Sequence, residues 1–182
     1  MSQRVALLGL SGVGKTTMLN RLSEKHAFTH LEASRLIKAE QVRRSITAQS
    51  SEALRTGPVL DNQALLIAGF QHEASSIKGA IVFDGHSVID GGNGLIEIPA
   101  AVFAALELNA VCFLQAEPAE ILARRQSDSA RQRPARSEEA LAEHQEKAIE
   151  VAKAIAEQLC LPFALIGDAQ EADLAALIRG LP

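Results

Sequence analysis

Residues 9 to 16 read Gly-Leu-Ser-Gly-Val-Gly-Lys-Thr and satisfy the pattern G-x-x-x-x-G-K-[ST] in full. The octapeptide follows a short apolar run, Val5 to Leu8, and opens a stretch with helical spacing. That placement constrains as much as the residues do. A strand turning into a helix through glycines leaves backbone N–H groups pointing at one spot, where the helix N-terminus adds partial positive charge. Such a loop holds phosphate. In this chemistry the lysine reaches the β- and γ-phosphates and the hydroxyl ligates Mg²⁺. Gly9, Ser11, Gly12, Val13, Gly14, Lys15, Thr16 and Thr17 are accordingly assigned to a nucleoside triphosphate, with Lys15 also catalytic and Thr16 on the metal. Lys15 is expected in an exposed loop.

The remaining chain alternates short β-like apolar runs with helical stretches. Strands are expected at 4–9, 26–31, 80–84, 110–115 and 162–166, and helices at 15–25, 34–47, about 61–77, 99–108 and 118–126. Gly57-Pro58 is a breaker, and Pro99 and Pro118 suit the first turns of their helices. Asp168 with Glu171 reads as a capping box for a last helix that ends at Gly180. Strands joined by helical crossovers build a parallel sheet covered on both faces, an α/β three-layer sandwich. At 182 residues the chain is one domain, 1–182. Two loops stand out: 86–97, rich in glycine, and 127–136, rich in arginine.

A phosphate loop alone does not name a reaction. Asp84 ends the apolar run Ala80 to Phe83, where an acid holding Mg²⁺ through water is expected. GTPases need D-x-x-G, yet none of the aspartates at 61, 84, 90, 128, 168 and 173 has glycine three residues on, and N-K-x-D is absent. The L-S-G-G-Q of transport ATPases is missing, and the chain is too short for a ring ATPase with a helical lid domain. A small kinase remains. Five of the twelve arginines, Arg124, Arg125, Arg131, Arg133 and Arg136, fall within 13 residues of an otherwise acidic chain of net charge −4. Phosphoryl transfer is catalysed by positioning and charge stabilisation, so guanidiniums closing over the γ-phosphate as a lid have chemical value. The lid insert is placed at about 127–137.

At three places the sequence resembles the archaeal-type adenylate kinases, within the P-loop nucleoside monophosphate kinases. These are the phosphate loop itself; Phe83-Asp84-Gly85-His86-Ser87 with Gly94-Leu95 and Ile98-Pro99; and Arg124-Arg125-x-x-Asp128-x-x-Arg131-x-Arg133, with Glu143-His144-Gln145 downstream. The resemblance implies a five-stranded parallel sheet of order 2-3-1-4-5, ATP on the loop, and a monophosphate acceptor between the segment after the second strand and the third-strand loop. It implies that Asp84 places the metal and that Arg124 or Arg125 stacks on the donor adenine. It further implies that Arg131 and Arg133 clamp the transferring phosphate, that His86 and Ser87 begin the acceptor loop, and that Lys38, with Arg35 a turn earlier, meets the acceptor phosphate. Arg124, Arg131 and Arg133 join Lys15 as the expected catalytic set, with Arg125 on the donor. Glu32 stands where a small hydroxylated residue is commoner, and an acid there can bind a ribose or sugar hydroxyl.

Three functions stay open at this stage: transfer from MgATP to a nucleoside monophosphate, AMP first; a kinase for a small hydroxylated metabolite; and a nucleotide-dependent binding module or ATPase switch. The acidic balance and the absence of Tyr and Trp argue against a nucleic-acid partner. No apolar run reaches membrane-spanning length. Cys112 and Cys160 have no partner at metal spacing and read as buried small hydrophobes in a reducing, cytoplasmic setting.

Overall fold

The strand that feeds the phosphate loop is central in the sheet. β1 (Arg4–Leu8) pairs in parallel with β3 (Ala80–Gly85) on one side and β6 (Ala110–Leu114) on the other. Val5 to Leu8 are at most 1% exposed, as a strand covered on both faces requires. β2 (Phe28–Glu32) continues the sheet past β3, and β7 (Phe163–Ile166) continues it past β6. Counting parallel strands only, the order β2-β3-β1-β6-β7 is the anticipated 2-3-1-4-5. The structure is a computed structural model and describes residues 3–50, 53, 54, 59, 62–91, 94–128 and 133–180. The expected helix start at Asp61, the breaker Gly57-Pro58 and the lid residue Arg131 lie outside these.

Helices cover both faces. α1 (Lys15–Ser23) packs with the C-terminal helix α7 (Glu171–Ile178). α2 (Ala33–Arg43) packs along α3 (Asn62–Ala74), and the short α4 (Ala100–Ala104) contacts α6 (Glu138–Gln158). α6 also packs on β6 and on α5 (Pro118–Ser127). An edge-to-face aromatic chain, Phe70–Phe83–Phe103 with ring separations of 5.9 and 6.5 Å, ties α3 and α4 to the sheet. Cys112 is buried in β6, and burial pushes its thiol up to about 12, so it packs as a small hydrophobe.

Several expectations need correction. The glycine-rich loop 86–97 contains an antiparallel ribbon, β4 (Val88–Asp90) with β5 (Leu95–Glu97). Strands of three residues are too short to show a period, and they are held by tertiary contact with α6. α2 stops at Arg43, because Ser45 turns into the left-handed region at φ 58°. The expected helix 99–108 is regular only over Ala100–Ala104. Asp168 and Glu171 form no capping box; Gln170 is the N-cap of α7, and both acids bind Arg21 of α1 at 2.8 and 3.0 Å. Cys160 is exposed, at the turn that ends α6.

Gly69 fixes how closely α2 and α3 approach. A Cβ there would lie 2.7 Å from the carbonyl oxygen of Leu36. In an exposed helix Gly→Ala stabilises by up to about 1 kcal/mol. Here Gly69→Ala should instead destabilise by about 1–3 kcal/mol, as overpacking does, which urea unfolding will measure. A more stable variant would show that the two helices separate freely.

Candidate active site

The chain leaves β1 through the phosphate loop and enters α1 at Lys15. Gly14 is the N-cap with φ 113°, a left-handed conformation that only glycine adopts without strain. Gly12, Gly14 and Thr16 present backbone N–H groups that bond no described residue. Lys15 is not exposed as expected: only 7% of its side chain is accessible. Its Nζ donates to Gly9 O at 2.9 Å and Leu10 O at 3.4 Å, and lies 3.6 Å from Asp84 Oδ1. The other carboxylate oxygen of Asp84 is 3.2 Å from His30 Nε2.

Parallel register sets this line of groups. Asp84 stands level with Leu7 of β1 and Glu32 of β2, so its carboxylate meets the loop at the C-terminal edge of the sheet. Burial raises the pKa of Asp84, but Lys15 and the hydrogen bond to His30 outweigh it and hold the carboxyl below its ordinary value. Removing one partner of a buried ion pair strands the other, at a cost of about 3–5 kcal/mol. Lys15→Ala should therefore lose stability of that order as well as activity, and Lys15→Ala with Asp84→Asn should recover most of it. Equal urea midpoints for Lys15→Ala and the parent would show that water solvates Asp84.

A cavity of about 880 Å³ opens over the loop. One half is cationic. Arg124 Nη1 donates to Val13 O at 2.6 Å, and Arg125 Nε donates to Ser11 O at 2.8 Å. Arg133 Nε donates to Ser11 Oγ at 3.0 Å and its Nη2 binds Asp128 at 2.6 Å. The Arg133 side chain is only 8% exposed, and its Nη1 is buried with no partner among the described residues. Arg136 lies apart, bidentate on the buried Asp90 at 2.8 and 3.0 Å, and so joins the segment before α6 to the β4–β5 ribbon.

The other half is built from the start of α2, the start of α3, the ribbon and α6. Glu32, Ser34, Asn62, Gln63, His86, Asp90 and His144 line it. Arg35 and Lys38 do not; Arg35 is exposed on α2. Ser87 turns away, 1% exposed, and donates to Ala148 O at 2.7 Å, pinning the ribbon to α6. Gln145 brackets Ala116, accepting from its N–H at 3.1 Å and donating to its carbonyl at 2.9 Å. Asn62, Gln63, His30 and the Asp90–Arg136 pair were not singled out from sequence. Buried Asn and Gln at a helix start carry no local pattern, and the ion pair joins residues 46 positions apart.

Both cavity histidines are neutral at ordinary pH. Burial and then the Lys15 charge push His86 down to about 3, against the pull of Asp84. Burial also lowers His144, against its hydrogen bond to the Val88 carbonyl. A histidine lowered in the folded state is protonated more readily when unfolded, so its contribution is complete above about pH 6.5 and is lost as pH falls below that. The Tm of the ligand-free protein should fall between about pH 7 and pH 5, in the window set by the unfolded pKa. A constant Tm over that interval would show that both rings take up protons in the fold.

Thr16 and Asp84 face the same cavity, and no group of three or more His, Cys, Asp or Glu among the described residues would hold a metal by itself. One hydroxyl and one ionised carboxylate beside a phosphate loop fit Mg²⁺, which keeps waters and takes its remaining ligands from phosphates. No helix among the described residues is long and apolar enough to cross a membrane.

A phosphate loop on a 2-3-1-4-5 sheet, faced by arginines from one segment, defines the P-loop kinase fold. Solved structures share it. Shikimate kinases from Acinetobacter baumannii, in complex with shikimate, and from Bacteroides thetaiotaomicron superpose with TM-scores of 0.61 and 0.59 at 12% and 17% identity. The first comparison covers 99% of this chain and 94% of the other, the second 98% and 99%. The AAA domain family model matches residues 8–142, and the chain belongs to that family, as a P-loop kinase of the adenylate kinase type. Adenylate kinase of Thermococcus kodakarensis is 28% identical over 145 residues, 78% of this chain and 74% of the relative. That of Methanocaldococcus jannaschii is 29% identical over 146 residues, 77% and 76%.

Proposed function

We propose that the protein transfers the γ-phosphoryl group of MgATP to a nucleoside monophosphate, AMP first. The buried Nη1 of Arg133, without a partner among the described residues, carries this reading. A guanidinium with two of its nitrogens fixed by Ser11 and Asp128 and the third unsatisfied is preorganised for an oxygen that arrives with substrate. Lys15 exchanges its loop carbonyls for the β- and γ-phosphates. Thr16 and Asp84 would hold Mg²⁺, which when bound would supply positive charge against that developing on the phosphates. Arg124 and Arg125 already grip the loop and close the donor side. An acceptor phosphate is itself an anionic nucleophile, so no side chain need remove a proton, and in-line positioning suffices. His86 borders the acceptor half as a neutral ring. Arg131, outside the described residues, belongs by its place in the sequence to the same clamp, and the chain acts on small molecules from solution.

Glu32 favours a second reading. It lines the cavity level with Asp84 and accepts a hydrogen bond from Ser34 Oγ at 2.5 Å. A carboxylate so placed can take the proton of an acceptor hydroxyl, as a metabolite kinase requires. Transfer assays over nucleoside monophosphates and small sugars decide between them.

An arginine on the transferring phosphoryl is worth about 10³–10⁵ in rate. Arg133→Ala should lower kcat for transfer to AMP by at least about 10²-fold with little change in ATP affinity, since the contact strengthens toward the transition state. ATP hydrolysis should rise relative to transfer as water gains access. Wild-type transfer kinetics would remove Arg133 from the mechanism.

A further inference from the structure

Three polar side chains in the cavity wall are locked in the same way. Asn62 Nδ2 donates to Leu54 O at 3.2 Å, and Gln63 Nε2 donates to Val59 O at 2.7 Å. His144 donates to the carbonyl of Val88. All three line the cavity and are at most 8% exposed. A backbone carbonyl only accepts, so each bond decides which end of the side chain carries hydrogen. The amides are left with carbonyl oxygens, Asn62 Oδ1 and Gln63 Oε1, that have no partner among the described residues. The imidazole Nε2 is fully buried with no partner among the described residues, which leaves Nδ1 as the nitrogen that donates to Val88. Burial keeps that ring neutral, so Nε2 presents a lone pair.

A phosphate has no use for such a wall, because lone pairs facing an anion repel it. Its complement is a molecule that brings hydrogens. We propose that Asn62 Oδ1, Gln63 Oε1 and His144 Nε2 form an acceptor-only wall that reads neutral donors, hydroxyl or amino groups, on the molecule receiving the phosphoryl group, with His144 as the specificity-determining residue. The cavity is then divided by chemistry. Lys15, Arg124, Arg125 and Arg133 take phosphates on one side, and the wall takes donor groups on the other. That the receiving molecule is AMP rests on the proposed function; the wall rests on the three locked side chains. A site built to bond an N–H or O–H discriminates strongly against an analogue lacking it, because its own buried groups are then left unpaired.

The test uses two substitutions that split the ring. His144→Asn keeps an amide N–H where Nδ1 donates to Val88 and has nothing at Nε2. His144→Gln reaches the Nε2 position with an acceptor. Initial rates are measured with ATP against AMP, inosine monophosphate and a panel of small sugars, and unfolding midpoints confirm that both variants fold. His144→Asn should raise the KM for AMP by about tenfold or more while the KM for ATP and kcat change by no more than about threefold, and His144→Gln should restore most of the AMP KM. An unchanged AMP KM in His144→Asn overturns the wall and leaves the proposed function standing. If a sugar is phosphorylated and AMP is not, and its KM follows the same pattern, the proposed function fails and the wall is upheld. Ring nitrogen spectra of the wild-type protein remove dependence on the variants: AMP or the active sugar should shift His144 Nε2, and no shift with any compound of the panel overturns the wall.

Discussion

Lys15 carries an ammonium into a place where almost none of its side chain meets bulk water, and everything around the site is arranged to make that tolerable. An isolated buried charge is costly, and only close partners make it stable. Two carbonyls of the phosphate loop and the carboxylate of Asp84 supply them, with His30 holding the far side of that carboxylate. Each partner comes from a different element, β1 and its loop, β3 and β2, so the arrangement exists only when the strands pair in register. The same partners explain how a ligand is received. An arriving phosphate replaces loop carbonyls that lose little by release to water, and the lysine changes partners without ever standing bare.

The arginines extend this logic across the cavity. Arg124 and Arg125 bind backbone carbonyls of the phosphate loop, and Arg133 binds the Ser11 hydroxyl, so three of these arginines are anchored to that loop. Arg136, the last of the clustered arginines, is gripped by Asp90 of the ribbon. The arginine-bearing segment is thus tied on one side to the phosphate loop and on the other to the ribbon. These contacts are charge-assisted, and the bidentate pair on Asp90 fixes direction as well as distance. Among the described residues of this group the Arg133 Nη1 is the buried nitrogen left without a partner, and a buried unsatisfied donor is a cost that an arriving oxygen acceptor would relieve.

The other half of the cavity obeys the opposite rule. Its polar groups are neutral or acidic, and backbone carbonyls hold the hydrogens of its amides and of His144. The ribbon is central to this. Ser87 pins it to α6, Val88 fixes the His144 ring, and Asp90 takes Arg136. The segment 87–97, with its two short strands, therefore aligns three separate parts of the site.

Much of this architecture was readable in the chain. The glycine spacing before Lys15 dictates the loop, because a backbone curled round an anion and entering a helix needs left-handed positions that other residues resist. Fully apolar runs dictate buried parallel strands, and helical crossovers dictate their neighbours. The clustering of arginines marked the cationic half of the cavity, which Arg124, Arg125 and Arg133 line. These are local signals, carried by residues adjacent in sequence. What only the tertiary structure decided depends on residues brought together from far apart: that Lys15 is buried against Asp84, that Ser87 faces α6 rather than substrate, that Arg35 and Lys38 stay outside the cavity wall, and that Asp168 and Glu171 serve Arg21 instead of capping a helix. A side chain's hydrogen-bonding capacity is written in its type, but which of its atoms remains unspent is set by neighbours on other elements. That is why the locked amides and the bare nitrogen of His144 could not be read from the chain.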